Sequence, residues 1–298
     1  MRVANKTLYD SIIQRLSTVS NEMMEANEVV SSAKRINNLS DDPVGLVSVL
    51  DLRSSLANVE QINRNIQVGK NWLSGGESAL TQVEDLLNST RVLAVQMSTA
   101  SISATERQNV VGVVDGYLNQ IISLANSQVG GRYIFGGTNT ETTPFVLNAG
   151  GTQVDYFGND TPFSIKMGKD TNIEIGRDGE DIFGDNWDDD NFFKTLIDLK
   201  TFLQTNDVTE IRATLDKLDS HLATLNAAVS DIGGKTIRME VKDNVIQELK
   251  IAYEERKSSI EDADITEAIM ILKSKELAYN AALTSSSKVM QLSLVNFL

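Results

Sequence analysis

Apolar positions in the first forty residues recur on a 3-4 rhythm through Tyr9, Ile12, Leu16, Val19, Met23, Ala26, Val30 and Ala33. An a/d spacing sustained over this length predicts a coiled-coil helix that needs a partner, not a helix lying on a globule. At "NLSDDPVGLVSVL" the helix is expected to stop and restart, because Pro43 disfavours a helical Asp42 yet suits the first position of a new helix. Ser40, Asp41 or Asp42 supplies the cap. The new helix carries Leu52, Leu56, Val59, Ile62 and Ile66, runs through Trp72 and is expected to loosen at Gly75-Gly76. Leu80, Val83, Leu87, Thr90, Ala94 and Met97 then restore the rhythm. After a polar break near Ser101 to Gln108, the positions Val110, Val114, Tyr117, Ile121 and Leu124 predict one more helix, ending on a left-handed cap at Gly130-Gly131.

The period then changes to two. In "TQVDYFG", "PFSIKMG" and "TNIEIG" the residues Val154/Tyr156, Phe163/Ile165/Met167 and Ile173/Ile175 alternate with polar neighbours between Gly, Asn and Asp turns, which predicts a small strand-rich insert. "NFFKTLIDLKTFL" returns to helix, and Asp207 with Glu210 three residues on has the spacing of a capping box opening another. That helix shows Ile211, Leu215, Leu218, Leu222, Leu225, Val229 and Ile232, softens at Gly233-Gly234, and extends through Met239, Ile246 and Tyr253 to about Ser259. A last helix starts at Asp262 or Asp264, with Ile265, Ile269, Leu272, Tyr279, Leu283 and Met290 on one stripe that Glu276 and Ser286 interrupt. The chain closes on the apolar residues Leu292, Leu294, Val295, Phe297 and Leu298.

The expected fold is mainly α: a long antiparallel coiled-coil or helical-bundle rod built from both termini, with a small β-rich inserted domain. The expected organisation is a terminal coiled-coil core of residues 1–40 and 263–298, a helical rod of 41–132 and 192–262, and a β-rich domain of 133–191. Both halves must pack on each other, because an isolated seam leaves its apolar stripe in water at about 25 cal/mol per Å².

Composition narrows the chemistry. A net charge of −14 argues against nucleic acid and anionic lipid, which need clustered Lys and Arg. With no cysteine and the single histidine His221, thiolate chemistry and most zinc sites are removed. The start "MRVANKTLYD" has no apolar h-region, and no run of about 18 apolar residues occurs, so neither a cleavable signal nor a membrane insertion is expected. "GGKT" at Gly233 to Thr236 lacks the glycine and the preceding strand of a phosphate loop, since position 229 is Val. "GGRYIFGGTN" carries no Lys before Ser or Thr and reads as a Gly-flanked passage from helix to strand. The acidic run "GRDGEDIFGDNWDDDN" matches no register of a calcium loop and reads as a solvated turn. His221 is expected on a helix flank or between helices. No catalytic residue, cofactor or metal ligand is assigned.

The segments "RINNLSDDPVGLVSVLDLRSSL", "NIQVGKNWLSGGESAL", "GGRYIFGGTNTETTPF" and "YEERKSSIEDADITEAIMILKSKELAYNAAL" resemble the bacterial flagellin family, and within it the proteins that sit between hook and filament. Pro43 after Asp41-Asp42, Trp72 and the exit loop at Gly130 are where the junction members are matched better than filament flagellins. The resemblance implies a non-enzymatic flagellar subunit that self-assembles, with the terminal helices in an inner tube, mobile in the monomer, and the β insert facing outward. It implies copies of itself, the neighbouring hook-associated junction protein and flagellin as partners, and export to the extracellular flagellum without a cleaved signal. A dedicated export chaperone is implied at the C-terminal helix, where Leu292, Leu294, Val295, Phe297 and Leu298 serve either that contact or subunit packing. The assembly seam is then Tyr9, Ile12, Leu16, Val19, Met23 and Val30 with Ile265, Ile269, Leu272, Tyr279, Leu283 and Met290. Val92 stands where flagellins seen by the innate immune receptor carry Glu, which argues against that recognition. The other readings are a flagellin filament subunit, a secreted coiled-coil adhesin or effector, and an enzyme carried in the insert.

Overall fold

The computed structural model describes residues 2–168, 171–184 and 191–295. In chain order the elements are α1 (Arg2–Ser32), α2 (Pro43–Met97), α3 (Ala104–Ala125), the strands β1 (Gln128–Val129), β2 (Arg132–Tyr133), β3 (Phe145–Leu147), β4 (Val154–Tyr156), β5 (Ser164–Lys166) and β6 (Asn172–Glu174), then α4 (Glu180–Phe183), α5 (Phe192–Thr205), α6 (Val208–Glu261) and α7 (Ile265–Val295). The chain is mainly helical, with long helices from both termini and small antiparallel sheets between them. It divides into two compact units, residues 1–59 with 248–298 and residues 60–247.

In the first unit α1 packs along α7. Ala26 and Ala268 are buried, and Ile12, Leu16, Val19, Met23 and Val30 of α1 are half-buried, as are Leu272, Tyr279 and Ala282 of α7. Local chemistry sets the helix ends. The Asp42 carboxylate accepts from the Gly45 N–H at 2.8 Å and caps α2, while Asp41 accepts from the N–H groups of Asn37 and Asn38 and folds the preceding loop. Asp264 caps α7 by accepting from Thr266 and Glu267 N–H. Each cap satisfies amides that have no partner inside the helix.

In the second unit α6 buries Ile211, Leu218, Leu225, Ile232, Met239 and Ile246, one residue every seven. The matching row on α2 includes Ile66, Leu73, Leu80 and Leu87. The helix α3 adds Val111, Val114, Leu118 and Ile121 and packs on α5. Its start is a full capping box: Glu106 N–H donates to the Ser103 hydroxyl and the Ser103 N–H donates back to the Glu106 carboxylate. At α6 Asp207 accepts from the N–H groups of Thr209 and Glu210.

Three expectations change on the structure. Gly75 and Gly76 do not loosen α2, which is continuous there, because a Cβ on Gly75 would stand 2.5 Å from Val129 Cγ2; the glycine is where β1 is admitted against the helix. Gly233 and Gly234 likewise leave α6 unbroken. Gly130 and Gly131 do not end α3, which stops at Ala125 with Asn126 after it; they form the two-residue turn between β1 and β2, with φ of 60° and 78°. Two consecutive positive φ values match the right-handed twist of a hairpin, and glycine adopts them without strain.

Among the described residues the insert holds three two-stranded antiparallel sheets, β1-β2, β3-β4 and β5-β6. It is tied to α3 by Asn126, whose side chain both donates to the Phe145 carbonyl at 2.8 Å and accepts from the Phe145 N–H at 2.9 Å. Its core is aromatic: Phe183 lies 5.2 Å from Phe145, 5.3 Å from Phe193, 5.4 Å from Phe192 and 5.9 Å from Phe135, ring centre to ring centre. A chain with 6% aromatic residues concentrates them where short strands alone could not bury enough surface.

Candidate assembly surface

The α1–α7 pair holds the residues expected to form a seam, and the structure distributes them unevenly. On α7 the side facing α1 carries Ala268, Leu272, Lys275, Tyr279, Ala282 and Ser286, buried or half-buried, at helical spacing. Ile265, Ile269 and Leu283 are exposed on one flank of that row, and Tyr9 is exposed on α1. Glu276 and Ser286, read as interruptions, are themselves half-buried, and Ser286 borders a groove with Ile12, Leu16 and Ala282. Lys275 donates to Glu22 of α1 at 2.6 Å, an ion pair at one register of the two helices. Met290, Leu292, Leu294 and Val295 lie on α7, but their side chains, together with Phe297 and Leu298, fall outside the described residues.

Periodicity missed the rest of the α7 surface. Ile271 is exposed on the opposite flank, and Met270 and Leu277 point directly away, 63% and 72% exposed. The helix therefore exposes apolar side chains on both flanks and on its far side, among exposed Glu267, Lys273 and Asn280, although α1 covers only one strip. The signal was present in "EAIMILKSKELAY", where apolar residues fall both on and off the stripe. A helix with apolar residues on several sides ordinarily packs against more than one neighbour.

A polar joint sits where α1 and α7 meet α2 and α6, and sequence spacing alone did not point to it. Ala33, at φ 58°, turns the chain out of α1. Lys34 and Asp262 then form an antiparallel bridge; Arg35 N–H donates to the Glu261 carbonyl at 2.8 Å and Ala263 N–H to the Ala33 carbonyl at 3.0 Å. The Glu261 side chain, 3% exposed, accepts from Lys34 Nζ and Arg53 Nη2, each at 2.6 Å. Burial alone would raise its carboxyl, but the two hydrogen bonds and the two cations outweigh burial and hold it below the ordinary glutamate value. Asp41 is also held low, by the Asn38 and Asn37 amides.

In the second unit Arg91 and Asp219 pair directly, the bond raising the guanidinium and lowering the carboxyl. Arg107, buried, donates to the carbonyls of Met97 at 2.8 Å and Thr99 at 2.8 Å and to Asn206 at 2.5 Å, so it closes the C-terminal end of α2. Tyr156 donates to the Phe135 carbonyl at 3.0 Å, and burial pushes its hydroxyl up to about 12. His221 lies beside Phe192 with Nε2 3.0 Å from the Thr195 hydroxyl, between α6 and α5. Residues 185–190 of the acidic run lie outside the described residues. Among the described residues no group of three or more His, Cys, Asp or Glu is placed to hold a metal, and no helix is long and apolar enough to cross a membrane.

Two sequence profiles bracket the chain: the bacterial flagellin N-terminal helical region matches residues 3–140, and the bacterial flagellin C-terminal helical region matches residues 215–298. The chain belongs to the bacterial flagellin family. Within that family it is 25% identical to flagellar hook-associated protein 3 of Salmonella typhimurium, over 97% of this chain and 95% of that one. It is 24% identical to the flagellar filament 30.7 kDa core protein of Treponema maltophilum, over 97% and 94%. The crystal structure of Bacillus cereus FlgL superposes with a TM-score of 0.58 at 26% identity, covering 68% of this chain and 97% of that one. The flagellar junction protein FlgL of Legionella pneumophila shares the fold, with a TM-score of 0.57 at 16% identity, covering 71% and 100%.

Proposed function

We propose that the chain is a structural subunit of the bacterial flagellum that joins the hook to the filament, and that it acts by self-assembly through its terminal helices. One observation carries the mechanism: α7 exposes Ile269, Met270, Ile271 and Leu277 around a helix that α1 covers on one strip. Burying such side chains contributes about 1.5–3 kcal/mol each. Neighbouring copies supply that cover, with the adjacent hook-associated junction protein on one side and flagellin on the other. In the free subunit the terminal helices open readily and in the inner tube they close; the β insert faces outward. The apolar tail, Leu292, Leu294, Val295, Phe297 and Leu298, engages an export chaperone before assembly. The chain works in the extracellular flagellum by association, not catalysis. The likeness to hook-associated protein 3 of Salmonella typhimurium and to Bacillus cereus FlgL supports the junction reading.

Deletion in the organism that carries this chain tests the reading. Hooks should remain and filament protein should appear in the medium; normal filaments on the deleted strain refute a junction role. Met270→Asp with Leu277→Asp, at exposed positions, should leave the free subunit folded and abolish incorporation. Retained filaments in that variant count against assembly through α7.

A further inference from the structure

The end of α1 disagrees with its own sequence. In "VVSSAKRINNLS" the apolar row continues from Val30 to Ala33, cations follow at Lys34 and Arg35, and Asn37-Asn38 stands beyond them. Cations in the last turn and an asparagine just past it mark a helix that stops near Ile36. In the structure α1 stops at Ser32 and has no basic residue in its last turn. The break falls on Ala33, at φ 58°. A left-handed helix end ordinarily takes glycine, because a Cβ there crowds the following carbonyl oxygen. Alanine is instead the best helix former. The other non-glycine residue at positive φ among the described residues is Asn206, and asparagine tolerates that region where alanine does not.

Contacts from far along the chain hold the strained form. Ala263 N–H donates to the Ala33 carbonyl at 3.0 Å, and Arg35 N–H to the Glu261 carbonyl at 2.8 Å. In a continued helix the Arg35 N–H would serve the Ser31 carbonyl, so the two arrangements exclude each other. Arg35 Nη2 adds a bond to the Ile260 carbonyl at 2.9 Å, and Lys34 Nζ pairs with Glu261 at 2.6 Å. Ile36 is buried close to Gly45, where a Cβ would stand 2.7 Å from Ile36 Cδ1. Locally, the Ser32 hydroxyl accepts from the Lys34 N–H at 3.2 Å. The long-range partners of Ala33, Lys34 and Arg35 thus lie between Ile260 and Ala263, immediately before α7, and the strain is offset while that segment is in place.

We infer that residues 33–36 are a two-state switch: a left-handed turn when the segment before α7 is docked, and one further turn of α1 when it is withdrawn. Pairing of the two ends of the chain is thereby coupled to the length of α1. The withdrawn state recovers the left-handed cost, about 5- to 30-fold in an opening equilibrium. It also returns the Arg35 N–H to the helix and sets Lys34 and Arg35 at a helix C-terminus, where the dipole favours cations. Glycine at position 33 would fix the turn without that cost; alanine keeps both states within reach. The inference goes beyond the self-assembly reading, since it concerns the free chain and needs no second copy.

NMR on the isotope-labelled full-length chain tests the switch. Glu261→Lys places a further cation beside Lys34 and Arg53 and should withdraw the segment, so that the Cα shifts of Ala33–Ile36 become helical, where the native chain gives non-helical ones. If Glu261→Lys does not fold, saturation-transfer exchange on Glu261→Gln reads the same shifts in its minor, open form. Ala33→Gly in the otherwise native chain removes the left-handed cost and should raise amide protection at Arg35 and Ala263 about 5- to 30-fold. Non-helical shifts at Lys34–Ile36 in the Lys variant, or in the open form of the Gln variant, overturn the switch. Unchanged or lowered protection in Ala33→Gly overturns it as well. These readouts come from the isolated chain, so their failure leaves the junction reading standing, and normal filaments on a deletion strain remove the junction reading without touching the switch.

Discussion

Neutralising Glu261 is expected to loosen the joint of α1 and α7 with the adjoining ends of α2 and α6 without unfolding these helices. The side chain is 3% exposed and accepts two hydrogen bonds at 2.6 Å, from Lys34 and Arg53. Glu261→Gln keeps the shape and one acceptor but removes the charge, and charged hydrogen bonds exceed neutral ones by about 1 kcal/mol each. Two such bonds give about 2 kcal/mol, an upper figure because Lys34 and Arg53 are 41% and 48% exposed and regain water when released. The expected local loss is therefore about 1–2 kcal/mol, or roughly 5- to 30-fold in an opening equilibrium. Amide exchange at Arg35 and Ala263, whose N–H groups donate across the joint, reads that equilibrium directly. The pH dependence has a definite sign. The folded carboxyl lies below the ordinary glutamate value, so its contribution is present above that ordinary value and is lost as pH falls through the folded one. Protection at Arg35 and Ala263 should decline in acid in the native chain more than in the Gln variant. Equal protection factors in the two chains at neutral pH, or a loss spread evenly over every helix, refute the reasoning.

Two further outcomes separate packing from propensity and locate the core. Gly75→Ala should destabilise by about 1–2 kcal/mol despite alanine's better helix propensity, since its Cβ would stand 2.5 Å from Val129, whereas Gly233→Ala, with open space around it, should stabilise by up to about 1 kcal/mol; denaturant titration compares the two. Phe183→Ala removes the ring that touches four other phenylalanines and should cost about 3–5 kcal/mol, seen as a lowered unfolding midpoint of residues 60–247 with α1–α7 contacts unaffected.

The sequence by itself determined the long helices and the place of the insert, because heptad spacing and its replacement by alternation are local properties of the chain. Asp207 was legible as a cap for the same reason, and Asp42 and Asp264 as one of several candidates at their helix starts: a carboxylate there reaches amides two or three residues on. The glycines were misread because a glycine looks the same in sequence whether it breaks a helix, turns a hairpin or admits a neighbour. Gly75 became an approach site only once Val129 was beside it, and Gly130 and Gly131 a hairpin turn only once β1 and β2 paired. The exposed side of α7 was half legible, since its apolar residues are plain in the sequence while the strip that α1 covers is decided by how the two helices rotate against each other. The Glu261 joint depended on tertiary structure altogether. It joins Glu261 to Lys34 and Arg53, each more than two hundred residues earlier in the chain, and no periodicity carries information across that distance. Local spacing specifies which helices form; only their mutual packing decides which faces are left uncovered.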